Sequence, residues 1–277
     1  MVDHFKTHPH HSYNMKPYNI IQPLTPKAPI LLSVPHCGTE FPEELKKDFF
    51  PDMMAAPDDT DWFVDQLYSF ASELGITMIT AKYSRWVVDL NRNHKSTPLY
   101  NDGRIITGLC TTTDFHGNEI YRQNTPDQAE VDRRVELYYD PYYRKIQEQL
   151  DEIKDAFGHV LLWDAHSIRQ YVPTIREERF PDMILGSVDE TSASNTLIQS
   201  ALASLSSGAF ELKHNTPFKG GQITRTFGRP NENQHALQLE MNKILYMDDT
   251  EMTFDEARAN KMRSVLRKTL TDLSSAF

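Results

Sequence analysis

The chain has 277 residues and a mass of 32.0 kDa, with 39 % hydrophobic and 25 % charged residues. That length can bury a sizeable core, and recurrent Val/Ile/Leu/Phe runs exclude disorder as the main state. Its 29 Lys and Arg against 39 Asp and Glu leave a formal charge of −10, which argues against a dedicated nucleic-acid binder but not against an anionic small molecule gripped by a few arginines.

Residues 1–28 hold His8, His10 and His11 among Pro and Lys. They lack the apolar stretch of a secretory signal and read as a loose arm rather than a metal tract. The remainder, 29–277, reads as one domain. The run 29–36 is a buried strand delivering His36 to its C-terminal end. A helix over 61–74 has Trp62, Phe63, Leu67, Phe70 and Leu74 at helical spacing, and Gly75 stops it. A strand follows over 76–83, then a short one over 86–92 ending in Asn91-Arg92, then a long polar connection over 93–117. The segment 127–157 predicts a long helix, broken near Pro141 and ended by Gly158. The clearest buried strand, 159–166, ends in Asp164-Ala165-His166. Strands over 183–188, 223–227 and 236–240 and a helix over 192–205 come next. A closing helix over 254–273 opens behind Thr253 as N-cap.

This alternation predicts a layered α/β fold with a largely parallel or mixed sheet. No apolar run approaches the roughly 20 residues that span a bilayer. Cys37 and Cys110 form neither a disulfide framework nor a zinc-finger pattern, so a cytoplasmic protein is expected.

In open α/β sheets, ligands sit at the carboxyl ends of the strands. His36, Asn91-Arg92, His166 and Glu240, distant in sequence, all fall at such an end. A lone strand-end histidine is usually a core imidazole bonded to backbone; the repeat of the pattern at His36 and His166 makes a shared metal competitive. Two imidazoles and a carboxylate, with a position left for water, suit catalytic zinc. Asp164, two residues from His166 on the same strand face, would stand behind it.

The oxygen ligand is open between Glu40 and the cluster Asp58, Asp59 and Asp61, where helix capping would account for two of the three aspartates. His116-x-x-Glu119 has metal-ligand spacing but lies in a polar loop. Arg85, Asn91, Arg92 and Arg225 are candidate partners of a carboxylate, and Gly220-Gly221 would let backbone approach a ligand. Glu240 ends an apolar strand, as a general base or as half of a salt bridge. No Gly-x-Ser-x-Gly, P-loop or Gly-x-Gly-x-x-Gly occurs, and Cys37 would face away from His36.

Six ordered blocks carry a resemblance. They are Ser33-Val34-Pro35-His36-Cys37-Gly38-Thr39, Asp59-Thr60-Asp61-Trp62, Tyr83-Ser84-Arg85 with Val88-Asp89-Leu90-Asn91-Arg92, Leu162-Trp163-Asp164-Ala165-His166-Ser167-Ile168-Arg169, Phe218-Lys219-Gly220-Gly221-Gln222-Ile223-Thr224-Arg225, and Gln238-Leu239-Glu240. Over about residues 29–248 the chain resembles the N-formylglutamate amidohydrolase family. The resemblance implies a three-layer α/β/α fold with a central mixed, mostly parallel sheet, like that of zinc carboxypeptidase-like hydrolases. It implies His36, Asp61 and His166 as ligands of one divalent ion, zinc by preference, with Asp61 favoured over Glu40.

It further implies Glu240 as the proton-transfer group and Arg85 at the oxyanion. Asn91, Arg92, Thr224 and Arg225 would hold a small dianionic substrate. The implied reaction is hydrolysis of N-formyl-L-glutamate to formate and L-glutamate, in histidine degradation. No nucleic-acid or membrane partner is expected, and self-association is left open. A related amidohydrolase of another N-acyl amino acid or short peptide, and a non-catalytic acid-binding relative, are the rival readings.

Overall fold

The computed structural model describes residues 16–24, 27–95 and 108–277; the His-rich stretch at 8–11 and part of the polar connection lie outside them. Seven strands make one sheet: β1 (Tyr18–Ile21), β2 (Ile30–Val34), β3 (Thr77–Ala81), β4 (Val160–Ile168), β5 (Met183–Gly186), β6 (Leu212–His214) and β7 (Gln234–Asn242). Their spatial order is β1-β3-β2-β4-β7-β5-β6. The β3, β2, β4 and β7 strands run parallel, β1 and β5 pair antiparallel to β3 and β7, and β6 runs parallel to β5. The sheet is therefore mixed and mostly parallel. Tyr18–Ile21, inside the segment expected to be a loose arm, is its edge strand.

Central strands β2, β3 and β4 are buried at every position, as a sheet sandwiched between two helical layers requires. The helices, in chain order, are α1 (Pro51–Met54), α2 (Val64–Leu67), α3 (Gln128–Arg134), α4 (Asp140–Phe157), α5 (Asn195–Leu205), α6 (Gln222–Phe227) and α7 (Glu256–Ser274). Apolar residues of α2, α5 and α7 pack against one face of the sheet. Those of α4 and α6 pack against the other. The result is a three-layer α/β/α fold. Among the described residues no helix is long and apolar enough to cross a membrane.

Several sequence expectations shift. The stretch 61–74 is not one helix: Phe63 takes left-handed backbone angles (φ 63°), leaving the short α2 and a 3-10 turn over Ser69–Leu74. Residues 86–92 form turns rather than a strand, although most are buried. Residues 223–227 lie in a helix, α6, opened by Gly221. The segment 127–157 is capped by the Asp127 side chain and does not break at Pro141. Instead a π-helical segment, Val135–Tyr139, joins α3 to α4. A proline inside a helix cannot donate and crowds the carbonyl four residues back; a wider turn just ahead of it relieves that clash. The closing helix starts at Glu256 with Asp255 as cap, not Thr253.

Candidate active site

The carboxyl ends of β2, β4 and β7 open onto one cluster. His36 lies two residues beyond β2, in a turn that Gly38 permits: a Cβ there would lie 2.3 Å from the Tyr83 carbonyl oxygen. His166 lies within β4, directly opposite Glu240 of the parallel β7. Asp61 precedes α2 and is tied to the first histidine by its amide, which donates to the His36 carbonyl at 2.9 Å. His36, Asp61 and His166 each offer a ligand atom, and these atoms all lie within 4.8 Å of one another. The three residues are 3 %, 1 % and 2 % exposed, so they hold their polar atoms away from water.

Ring orientation is set from behind. His36 Nε2 lies 2.8 Å from Asp89 Oδ1, leaving Nδ1 at 3.7 Å from Asp61 Oδ2. His166 Nε2 lies 3.2 Å from Asp164 Oδ2, leaving Nδ1 at 3.1 Å from the same Asp61 oxygen. Both imidazoles therefore aim Nδ1 at one carboxylate and back Nε2 against a different buried aspartate. Such outer carboxylates fix a histidine's tautomer and raise its basicity as a ligand. A tetrahedral zinc with bonds of about 2.0–2.1 Å sets its donors about 3.4 Å apart, close to the two spacings seen. The donor set and its geometry fit a divalent ion.

The charges agree. Burial opposes ionisation of Asp89, yet the Arg85 guanidinium, 2.5 Å away through Nη2, and Arg92 hold its carboxyl well below the usual range. Burial likewise opposes a charged His166, but the carboxylates of Asp164 and Asp61 outweigh it and push the imidazole well above its ordinary value. Burial, then Arg85, push His36 down. The carboxylates of Asp164 and Asp61 thus favour a positive charge at the His166 position. Glu240 is pushed up to about 8, chiefly by burial, with Asp61 adding to the shift and His166 opposing it. Its carboxyl has no hydrogen bond or ion pair among the described residues, which sets aside the salt-bridge alternative.

The other expected residues sort by what they touch. Arg85 is buried, with Nη2 on Asp89, Nη1 3.4 Å from the Asp59 carbonyl and Nε without a partner. Its guanidinium lies over the Phe115 ring. Asn91 and Thr224, expected to touch substrate, have their polar atoms spent on neighbours. Asn91 Nδ2 sits 3.1 Å from His166 Nε2 and donates to Gln238, while Oδ1 accepts from the Ile223 amide. Gly221 makes room for the Asn91 side chain, since a Cβ there would lie 2.2 Å from Nδ2. Thr224 is fully buried and its hydroxyl donates to Asp164 at 3.3 Å. Arg92 and Arg225 are part-exposed; Arg225 Nε donates to the Gly220 carbonyl.

The aspartate cluster does not cap α2, which has no side-chain cap at all. Asp58 pairs with Arg169 and with His116, and Asp59 accepts from the Phe115 amide. Burial pushes Asp59 up to about 6. Glu40 is exposed and paired with Lys82, and His116 and Glu119 are exposed, so neither alternative joins the cluster. The Cys37 thiol donates to the carbonyls of Val34 and Ala81 and is pushed up by burial, which leaves it inert. Asp89 is the residue that sequence reasoning missed. Its signal was visible as a carboxylate ending the apolar run Val87-Val88, two residues ahead of Asn91.

Residues 28–247 match the family model described as N-formylglutamate amidohydrolase. An N-formylglutamate deformylase of Pseudomonas putida is 36 % identical over 251 residues, covering 89 % of this chain and 92 % of that protein. One from Pseudomonas aeruginosa is 38 % identical over the same length, covering 89 % and 93 %. Among solved structures, an N-formylglutamate amidohydrolase from Ralstonia eutropha JMP134 superposes with a TM-score of 0.81 at 25 % identity, covering 95 % of this chain and 99 % of that one.

Proposed function

The chain belongs to the N-formylglutamate amidohydrolase family, and on that premise we propose that it hydrolyses N-formyl-L-glutamate to formate and L-glutamate with one bound divalent ion. The observation that carries the reading is the buried convergence of His36 Nδ1, His166 Nδ1 and Asp61 Oδ2, each imidazole backed by its own aspartate. Two nitrogens and one oxygen favour zinc over magnesium or calcium, which prefer all-oxygen sites.

When bound, the ion supplies polarisation of the formyl oxygen and a lowered pKa for water. Glu240 takes a proton from the attacking water as its oxygen bonds to the formyl carbon. The same proton passes to the amide nitrogen as the C–N bond breaks, so Glu240 returns to its starting state. Arg85 keeps Nε buried and unpaired, a cost of about 1–3 kcal/mol that a developing oxyanion would relieve. Arg92 and Arg225 are assigned to the two substrate carboxylates, and Asn91 and Thr224 to holding His166 and Asp164. A mixed fork of two arginines suits a dianion in a chain of net charge −10. Two cysteines that form no disulfide suit a reducing cytoplasm.

The test is formate release from N-formyl-L-glutamate. Activity should disappear with a chelator and return with zinc; no turnover after metal addition contradicts the reading. A panel varying the acyl group and the side-chain acid separates it from an amidohydrolase of another N-acyl amino acid.

A further inference from the structure

The segment that bears Asn91 and Arg92 is buried as far as Asn91 and yet lies in no strand, so its carbonyls need other partners. Three consecutive ones find them. Tyr143 Oη donates to the Leu90 carbonyl at 2.8 Å, the Gln222 amide at the head of α6 donates to that of Asn91 at 3.4 Å, and Tyr139 Oη donates to that of Arg92 at 2.9 Å. The two phenols stand at the junction of the π segment with α4. Their rings stack at 4.2 Å with 13° between planes, and Tyr143 packs on Phe227 of α6 at 5.5 Å. The helix carrying Thr224 and Arg225 is thus braced by the same rings that pin the segment carrying Arg92. A π segment inserts an extra residue into the turn, and such insertions recur at functional sites.

We propose that Tyr139 and Tyr143 are positioning residues that set the spacing between Arg92 and Arg225, and so select a diacid of glutamate length over shorter diacids. This rests on the reading that those two arginines hold the substrate carboxylates. Removing either hydroxyl takes the side-chain donor from a main-chain carbonyl and loosens one side of the fork while the rings still stack. The phenols bond to the main chain of this segment, while the Asn91 side chain keeps Ile223 and Gln238 and Asp89 keeps Arg85, so the groups around His36, His166 and Glu240 retain their own partners.

The variants are Tyr139→Phe, Tyr143→Phe and the double, each zinc-loaded. Kinetics with N-formyl-L-glutamate and N-formyl-L-aspartate are paired with calorimetric binding of glutarate, which needs no turnover. The double variant should raise KM for N-formyl-L-glutamate and weaken glutarate binding by about tenfold. Its kcat should stay within about twofold, its metal content should be unchanged, and its preference for glutamate over aspartate should narrow. The single variants carry the same test if the double does not fold. Unchanged KM and glutarate affinity overturn the proposal, and so does a joint fall of kcat and metal content, which would mark a merely structural role. A wild-type protein that binds glutarate but releases no formate sinks the deformylase reading alone, with the phenols still judged by binding. Wild-type protein that binds no glutarate overturns the proposal.

Discussion

His36 presents Nε2 to Asp89 at 2.8 Å, and that one contact decides which nitrogen of the ring faces Asp61. Asp164 does the same for His166. Neither aspartate belongs to the group that could hold a metal ion, yet each stands behind one of its two imidazoles.

Asp89→Asn and Asp164→Asn should each weaken zinc affinity by about 10–100-fold, measured by competition with a chromophoric chelator. Affinity within twofold of wild type would show that the rings are held by packing alone.

Asp61→Ala should abolish stoichiometric zinc, whereas Glu40→Ala, at an exposed residue paired with Lys82, should leave metal content intact and stability within about 0.5 kcal/mol. Elemental analysis of both purified variants distinguishes them. Zinc retained in Asp61→Ala and lost in Glu40→Ala would reverse the ligand assignment.

Glu240→Gln should keep the metal and lose about 10²–10⁴-fold in kcat. Steady-state formate release together with zinc content is the check; near-normal kcat would remove Glu240 from proton transfer.

The stability that zinc adds should depend on pH. In the metal-free protein the raised pKa of His166 contributes stability that is fully present below the unfolded value of about 6.5 and is lost as pH rises through the folded value. Metal binding needs that imidazole neutral, so zinc displaces its proton and binds more tightly as pH rises, at every pH below the folded value. The zinc-induced rise in Tm should therefore widen steadily as pH rises toward the folded value. Thermal melts across pH with and without zinc test this, and a Tm gain that shrinks with rising pH would contradict it.

The parts of the site legible in sequence were those delivered by strands. Apolar runs ending in His36, His166 and Glu240 announced both their burial and their common sheet edge. What stayed hidden depended on burial without regular structure. The run Trp86-Val87-Val88 has the composition of a strand, but its backbone turns: the Val87 carbonyl accepts from Arg134, and the main chain of the residues that follow, 90–92, is satisfied by Asp89, two phenols and α6. Ile223-Thr224-Arg225-Thr226-Phe227 is β-branched and aromatic, yet Gly221 and the Asn91 amide nucleate a helix there. The aspartates before α2 looked like caps because local rules favour that role, whereas tertiary partners claim all three. Pro141 was legible as a disturbance but not as a π segment, since a break and a wider turn both relieve the same clash with the carbonyl four residues back.

The measurement closest to the core of this account is an anomalous difference map at the zinc absorption edge from crystals of the metal-loaded protein. A single peak bonded to the Nδ1 atoms of His36 and His166 and to an Asp61 carboxylate oxygen is the expected result. Density elsewhere, or coordination through either Nε2, would contradict the arrangement from which the chemistry has been drawn.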